Sequence, residues 1–165
     1  MAELTNLESK IAEVLGLAAA AKGATQTVRG MLEGDEQELA GVLDRMRDEA
    51  AETEERCTDV AGTFNGKKTA ILEAARETKQ EATEMMETYL ADEEEALDGF
   101  EFLTMAEAGE VGHWAIVKKL NERAGSSDVK ELAAWALPIQ EEHLAAVLES
   151  SLQLAAQEDP DETAG

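Results

Sequence analysis

LDGFEFLTMAEAGEVGHWAIVKKLNER, residues 97–123, is the stretch whose reading decides the fold. Leu97, Phe100, Leu103, Trp114, Val117 and Leu120 recur three or four residues apart, the spacing of one buried helical face. Glu107 and Glu110 interrupt that stripe at positions where the rhythm demands core residues. His113 follows Glu110 by one turn, on the flank of the stripe, so the two side chains project to the same side. A buried helical face that carries carboxyls needs neighbours on every side, which predicts a bundle.

The rest of the chain has the same character. Leu4, Leu7, Ile11, Val14, Ala18, Ala21, Thr25, Val28 and Leu32 mark a first helix over about Leu4–Leu32, capped by Thr5 or Asn6 and ended by EGD at 33–35. A second, over about Glu36–Phe64, places Leu39, Val42, Leu43, Met46, Ala50, Thr53, Cys57, Val60 and Phe64 on one face, and NGKK at 65–68 is a turn. A shorter amphipathic segment spans about Thr69–Leu90. After it, ADEEEALDG either bends the chain or runs on as helix. AGSSD at 124–128 is the clearest loop, with Gly125 as helix stop and Asp128 as the next N-cap. The last helix runs over about Val129–Gln157, with Pro138 inside it as a source of a kink. No alternation of β-branched residues marks a strand. The fold class is all-α: four long helices with short turns form an antiparallel bundle, with an extra helical segment between the second and third. Residues 1–158 form one domain, and 159–165 an acidic tail.

Charge bounds the partners. The chain has 37 acidic residues against 14 basic, a net charge of −23. Such a surface repels nucleic acid and anionic lipid and attracts cations. The DEEE run at 92–95 reads as a solvated helix face. A lone Cys57 allows no internal disulfide, no apolar run reaches the ~20 residues of a membrane span, and the N-terminus lacks a signal-peptide pattern. The expected location is the cytoplasm. No Gly-rich phosphate loop, nucleophile elbow or CxxC pair is present. Cys57 reads as an inert buried thiol, Trp114 and Trp135 as core fillers, and Met46, Met85, Met86 and Met105 as packing residues.

The polar exceptions on the inward faces carry the chemistry. Besides Glu110-x-x-His113, the last helix offers Gln140-x-x-His143 within QEEHLAAVLE, with Glu141 and Glu142 beside it. Glu49 lies at the edge of the second helix's face, and Glu8 leans inward from the first, with Glu13 a less favoured phase. Oxygen and imidazole donors suit iron or manganese, and zinc as well. The candidate metal ligands are Glu8, Glu49, Glu110, His113, Glu142 and His143, with Glu107 as a further contributor. The plainer reading makes each histidine a partly buried residue bonded to a carboxylate on a neighbouring helix.

One Glu from each of two helices plus Glu-x-x-His from each of two others is the ligand plan of ferritin-like dimetal proteins, and the chain resembles that superfamily. More narrowly, it resembles the YciF-type stress-associated proteins over about Leu97–Ala156. EAGEVGHWAI (107–116) stands where that family has an ExxE segment on its third helix, and IQEEHLAAVLESSLQLA (139–155) where it has an acidic segment followed by leucines. The resemblance implies an iron- or manganese-binding bundle with oxidase or peroxide chemistry in oxidative or general stress, and pairing into a homodimer. The Ala-rich patch at 18–24 and the exposed face of the middle segment are the surfaces for such a dimer. Gln140 departs from the plan, because an uncharged amide is a poorer ligand than a carboxylate. It favours the alternative, a metal-free ferritin-like bundle acting as a scaffold or interaction protein.

Overall fold

The computed structural model describes residues 2–163; Met1 and 164–165, at the ends of the expected domain and tail, lie outside them. Among the described residues five helices follow one another: α1 (Asn6–Met31), α2 (Gln37–Ala61), α3 (Lys68–Tyr89), α4 (Ala96–Ala124) and α5 (Ser127–Ala155). There is no strand among the described residues. The middle segment is a full helix, α3, and the acidic stretch after it turns the chain at 90–95 before α4 begins. Among the described residues, no helix is long and apolar enough to cross a membrane.

Local chemistry sets the helix ends. Thr5 opens α1 with a capping box: its hydroxyl accepts from the Glu8 N–H at 3.2 Å, and the Glu8 carboxylate accepts from the Thr5 N–H at 2.8 Å. Gly125 ends α4 at φ 71°, a left-handed conformation that a side chain would strain. The next cap is Ser126, not Asp128. Asn121 explains the shift. Its amide donates to the Ser126 carbonyl at 2.8 Å, and its side-chain oxygen accepts from the Ser126 N–H at 3.1 Å. With its backbone so held, Ser126 accepts from the Val129 N–H at 3.2 Å, and α5 starts early. Asp128 falls in the first turn, where a negative charge suits the helix dipole. Helix α5 continues across Pro138; Ala134, whose carbonyl the ring deprives of a donor, is exposed to water.

Cross-helix contacts fix the relative directions. Arg29 meets Asp44 while Lys22 meets Glu54, so α1 and α2 are antiparallel. Glu13 meets His113 while Val28 meets Gly99, so α1 and α4 are antiparallel. Thr104 meets Ser151 while Glu107 meets His143, and Glu49 meets His143 while Arg56 covers Trp135. Both α4 and α2 therefore run opposite to α5. Lys67 lies by Glu8 and Ala75 by Gly16, so α3 is parallel to α1, packed on its outer side.

The buried positions advance by threes and fours, as in 100, 103, 107, 110, 114, 117 on α4 and 136, 140, 143, 147 on α5. That 3.5-residue rhythm is the one that lets nearly aligned helices interlock. The apolar core is split in two. One cluster gathers Ile11, Leu15, Cys57, Ile71, Trp114 and Val129. The other gathers Val28, Leu43, Met46, Phe100, Leu103 and Val147. Between them lie Ala18, Ala50, Thr53, Glu107, Glu110, Gln140 and His143, all buried. Trp135 is only half-buried and sits under the Arg56 guanidinium, 4.1 Å from its ring centroid. Met46 packs as expected, but Met85 and Met105 are exposed because they fall between core phases.

The α1–α3 contact depends on Gly16. A Cβ there would meet the Ala75 carbonyl oxygen at 2.4 Å and the Thr78 Cβ at 2.7 Å. On Gly109 a Cβ would meet nothing. Gly16→Ala is expected to destabilise by about 1–3 kcal/mol, because backbone must move. Gly109→Ala is expected to stabilise by about 0.5–1 kcal/mol through helix propensity. Urea unfolding of both variants checks this; equal signs would refute the packing described for α1 and α3.

Candidate metal centre

The middle layer is built by register. Antiparallel packing of α4 on α5 brings Glu107 opposite His143 and Glu110 opposite Gln140, and α2 brings Glu49 to the other side of the imidazole. His143 Nδ1 lies 3.5 Å from Glu107 Oε2, and His143 Nε2 lies 3.6 Å from Glu49 Oε2. Both separations are too long for ordinary hydrogen bonds. Glu107 and His143 are each 2% exposed and Glu110 5%. Glu107 Oε2, Glu110 Oε2, Gln140 Oε1 and His143 Nε2 are buried without any hydrogen-bond partner. Buried donors and acceptors of this kind are costly unless something pairs with them.

Burial governs their acidity. It pushes the Glu107 carboxyl up to about 8. Burial, and then the neighbouring Glu107 charge, raise Glu110 well above the ordinary carboxyl value, while the Gln140 side chain opposes them by hydrogen bonding. His143 is lowered by burial, against the pull of Glu49. Burial likewise raises the Cys57 thiol, with Glu110 and Glu54 adding to it, so that cysteine is an unreactive core residue.

Of the residues the sequence nominated, Glu49 and His143 lie side by side, Glu107 stands at the other nitrogen of that imidazole, and Glu110 shares the layer beside Glu107 and Gln140. The other three stand elsewhere. Glu8 is buried, but its carboxylate caps α1 at the far end of that helix, beside Lys67. His113 is half-buried and faces α1, with Nδ1 3.0 Å from a Glu13 oxygen, a contact that does not make a hydrogen bond. Glu142 is exposed on the outside of α5, as is Glu141. Helix α1 contributes Ala18 to the layer and no carboxyl. Gln140 belongs to the layer and was legible as such, since it lies one turn before His143.

Among the described residues, no group of three or more His, Cys, Asp or Glu side chains is gathered closely enough to hold a metal ion as they stand. The donor chemistry nevertheless fits one. Two carboxyls and an imidazole with unpartnered atoms share one layer, a third carboxyl borders it, and oxygen and imidazole donors suit iron, manganese or zinc. The chain matches no protein-family profile, no curated protein and no solved structure.

The raised Glu107 carboxyl gives a pH dependence. The folded state holds its proton up to about 8, whereas the unfolded chain releases it near 4.5. Stability from this group is therefore complete below the unfolded value and declines as pH rises from 4.5 towards 8. In chelator-treated protein, Glu107→Gln is expected to gain on the parent chain by a few kcal/mol between pH 5 and 8. Denaturant unfolding across that range reads the difference; a constant offset would show that Glu107 titrates normally.

Proposed function

We propose that the middle layer binds a divalent metal ion, iron or manganese, through Glu107, Glu110 and His143, with Glu49 reaching in from α2. The observation that carries this reading is the set of buried donor atoms without partners at the boundary between the two apolar clusters. A cation there would offset the cost of burying two carboxyls one turn apart. The Glu107 and Glu49 oxygens flank different ring nitrogens of His143, 3.5 Å from Nδ1 and 3.6 Å from Nε2, so a single ion would use one nitrogen and the carboxyl beside it, with the other carboxyl rotating to reach it.

The fold reading goes with this. Helices α1, α2, α5 and α4 surround the layer as an antiparallel four-helix bundle of ferritin-like type, and α3 is the crossover that returns the chain to the other end. The cross-helix pairs and the parallel α1–α3 contact support that topology. The site is asymmetric and takes a single ion, because α1 offers alanine and α5 offers Gln140 where a paired site needs carboxyls. Bound iron or manganese would supply reactivity towards oxygen or peroxide. The protein's own part is to hold the donors in a dry layer and to orient His143 between two carboxyls. Stress-related chemistry rests on the YciF-type resemblance alone, oxidase or peroxide chemistry on the bound metal, and a homodimer on the ferritin-like resemblance. Within residues 18–24 Ala18 and Ala24 are buried and the others are half-buried or exposed, and the outer side of α3 is densely charged.

A second reading has specific support. Gln140 and the alanine of α1 favour a metal-free bundle in which the layer is held by protonated carboxyls and the protein works by association. Elemental analysis separates the two. Untagged protein is offered iron, manganese and zinc in turn under anaerobic conditions. Near-stoichiometric metal is expected in the parent chain, in Glu8→Gln, in Glu142→Gln and in His113→Ala, with loss in His143→Ala and Glu110→Gln. No retained metal, or metal that survives both of the latter changes, would sink the metal reading.

A further inference from the structure

The outward face of α4 has a rhythm of its own. Glu101, Met105, Ala108, Gly112, Ala115 and Lys119 are all exposed and follow one another by fours and threes, the spacing of a helix that packs lengthwise against another. Between Glu101 and Lys118 no exposed residue of α4 is charged, in a chain with 37 acidic and 14 basic residues. A Cβ on Gly112 would meet nothing, so packing within the chain does not call for glycine there, and glycine weakens an exposed helix relative to alanine. Among the described residues, the large hydrophobic side chains that stand exposed belong to α3, α4 and α5, and none to α1 or α2. Met105 and Met85 border a cleft of about 230 Å³ between α1, α3 and α4. Leu148 and Leu152 lie on the other flank of α4, where Ser151 meets Thr104.

We infer that this face pairs with the same face of a second copy, α4 antiparallel to α4, about a two-fold axis that crosses the helix at the level of Glu110. The row is symmetric about that level: Glu101 and Lys119 lie nine residues to either side of it, Met105 and Ala115 five, and Ala108 and Gly112 two. Antiparallel pairing therefore sets Glu101 against Lys119 at both ends, Met105 against Ala115, and Ala108 against Gly112 at the centre. Opposite charges meet, a long side chain meets a short one, and the smallest residues lie where the two helices come closest. A parallel pairing would set each charge against its like. The flanks agree with the antiparallel register. Gln140 marks the level of Glu110 on α5, and Leu148 lies eight residues beyond it. The two-fold axis brings Leu148 of one copy over the region near residue 132 of the other, where Ala133, Ala134, Leu137 and Pro138 line a groove of about 890 Å³ between α4 and α5. A net charge of −23 makes most of the surface repel a second copy, and this face lacks that charge. The seam is neither residues 18–24 nor the outer side of α3, the surfaces expected for a ferritin-like dimer. It rests on the residues of α4 and α5, not on that resemblance or on metal binding.

Sedimentation equilibrium of the full chain over a range of concentrations is the test. A single monomer–dimer equilibrium with a dissociation constant in the micromolar range is expected. Glu101→Lys and Lys119→Glu should each weaken it about tenfold, because either change sets like charges together at both ends of the seam. The two changes combined should restore affinity to within about threefold of the parent chain. The single changes move the net charge in opposite directions, so a general charge effect would instead strengthen association in Glu101→Lys. Gly112→Leu should abolish dimerisation with helix content unchanged by circular dichroism, because its side chain meets open space within one copy. A chain that stays monomeric at millimolar concentration, assemblies larger than two, a double reversal as weak as the single ones, or a Gly112→Leu chain that dimerises like the parent would each overturn the proposal. The three altered positions are exposed and outside the polar layer, so dimerisation and metal uptake can fail separately.

Discussion

Two carboxyls one turn apart, each with one buried oxygen that has no hydrogen-bond partner in the middle of a helical core, are the constraint on which the rest of the structure depends. Apolar side chains above and below hold the helices together, yet neither cluster can extend through the level of Glu107 and Glu110. The bundle accommodates them with His143, with the Gln140 amide, and by giving up the charge on at least one carboxyl near neutral pH. Replacing the layer with leucine would remove the penalty, which is why a polar layer that resists simple packing logic points to use rather than to stability.

Helix α1 is the complement of that layer. It packs against α2, α3 and α4, and at the level of the carboxyls it presents small residues, Ala18 and Ala20, rather than a fourth polar group. The consequence is lopsided: the donors all come from α2, α4 and α5, while the open space lies on the α1 and α3 side. Gly16 brings α3 close enough to close that side except at the cleft.

The face each residue occupies was legible in the sequence; its height along the bundle was not. The stripe from Leu97 to Leu120 named Glu107 and Glu110 as inward, and both are buried. His113 is adjacent to the inward Trp114 and so had to lie off the face, however well Glu-x-x-His matches a ligand motif. The same argument applies to Glu142 beside His143. Glu8 was read correctly as inward, but periodicity along one helix says nothing of its register against another, and Glu8 sits at the end of α1 rather than at the layer. Register comes from contacts between helices, such as Glu13 with His113, that no single stripe encodes. The Ser126 cap was missed for a related reason: the Asn121 clasp that positions it spans the loop.

The division of labour between the two halves of the chain has a consequence for assembly. The first three helices form their own contacts, α1 with α2 and α1 with α3, from residues that precede 90. The hairpin of α4 and α5 then brings both buried carboxyls, the imidazole and the amide. Packing that hairpin against the first three helices and removing those groups from water are thus one event. Docking of that hairpin carries the dehydration cost, and whatever cation or proton satisfies the layer acts on that docking.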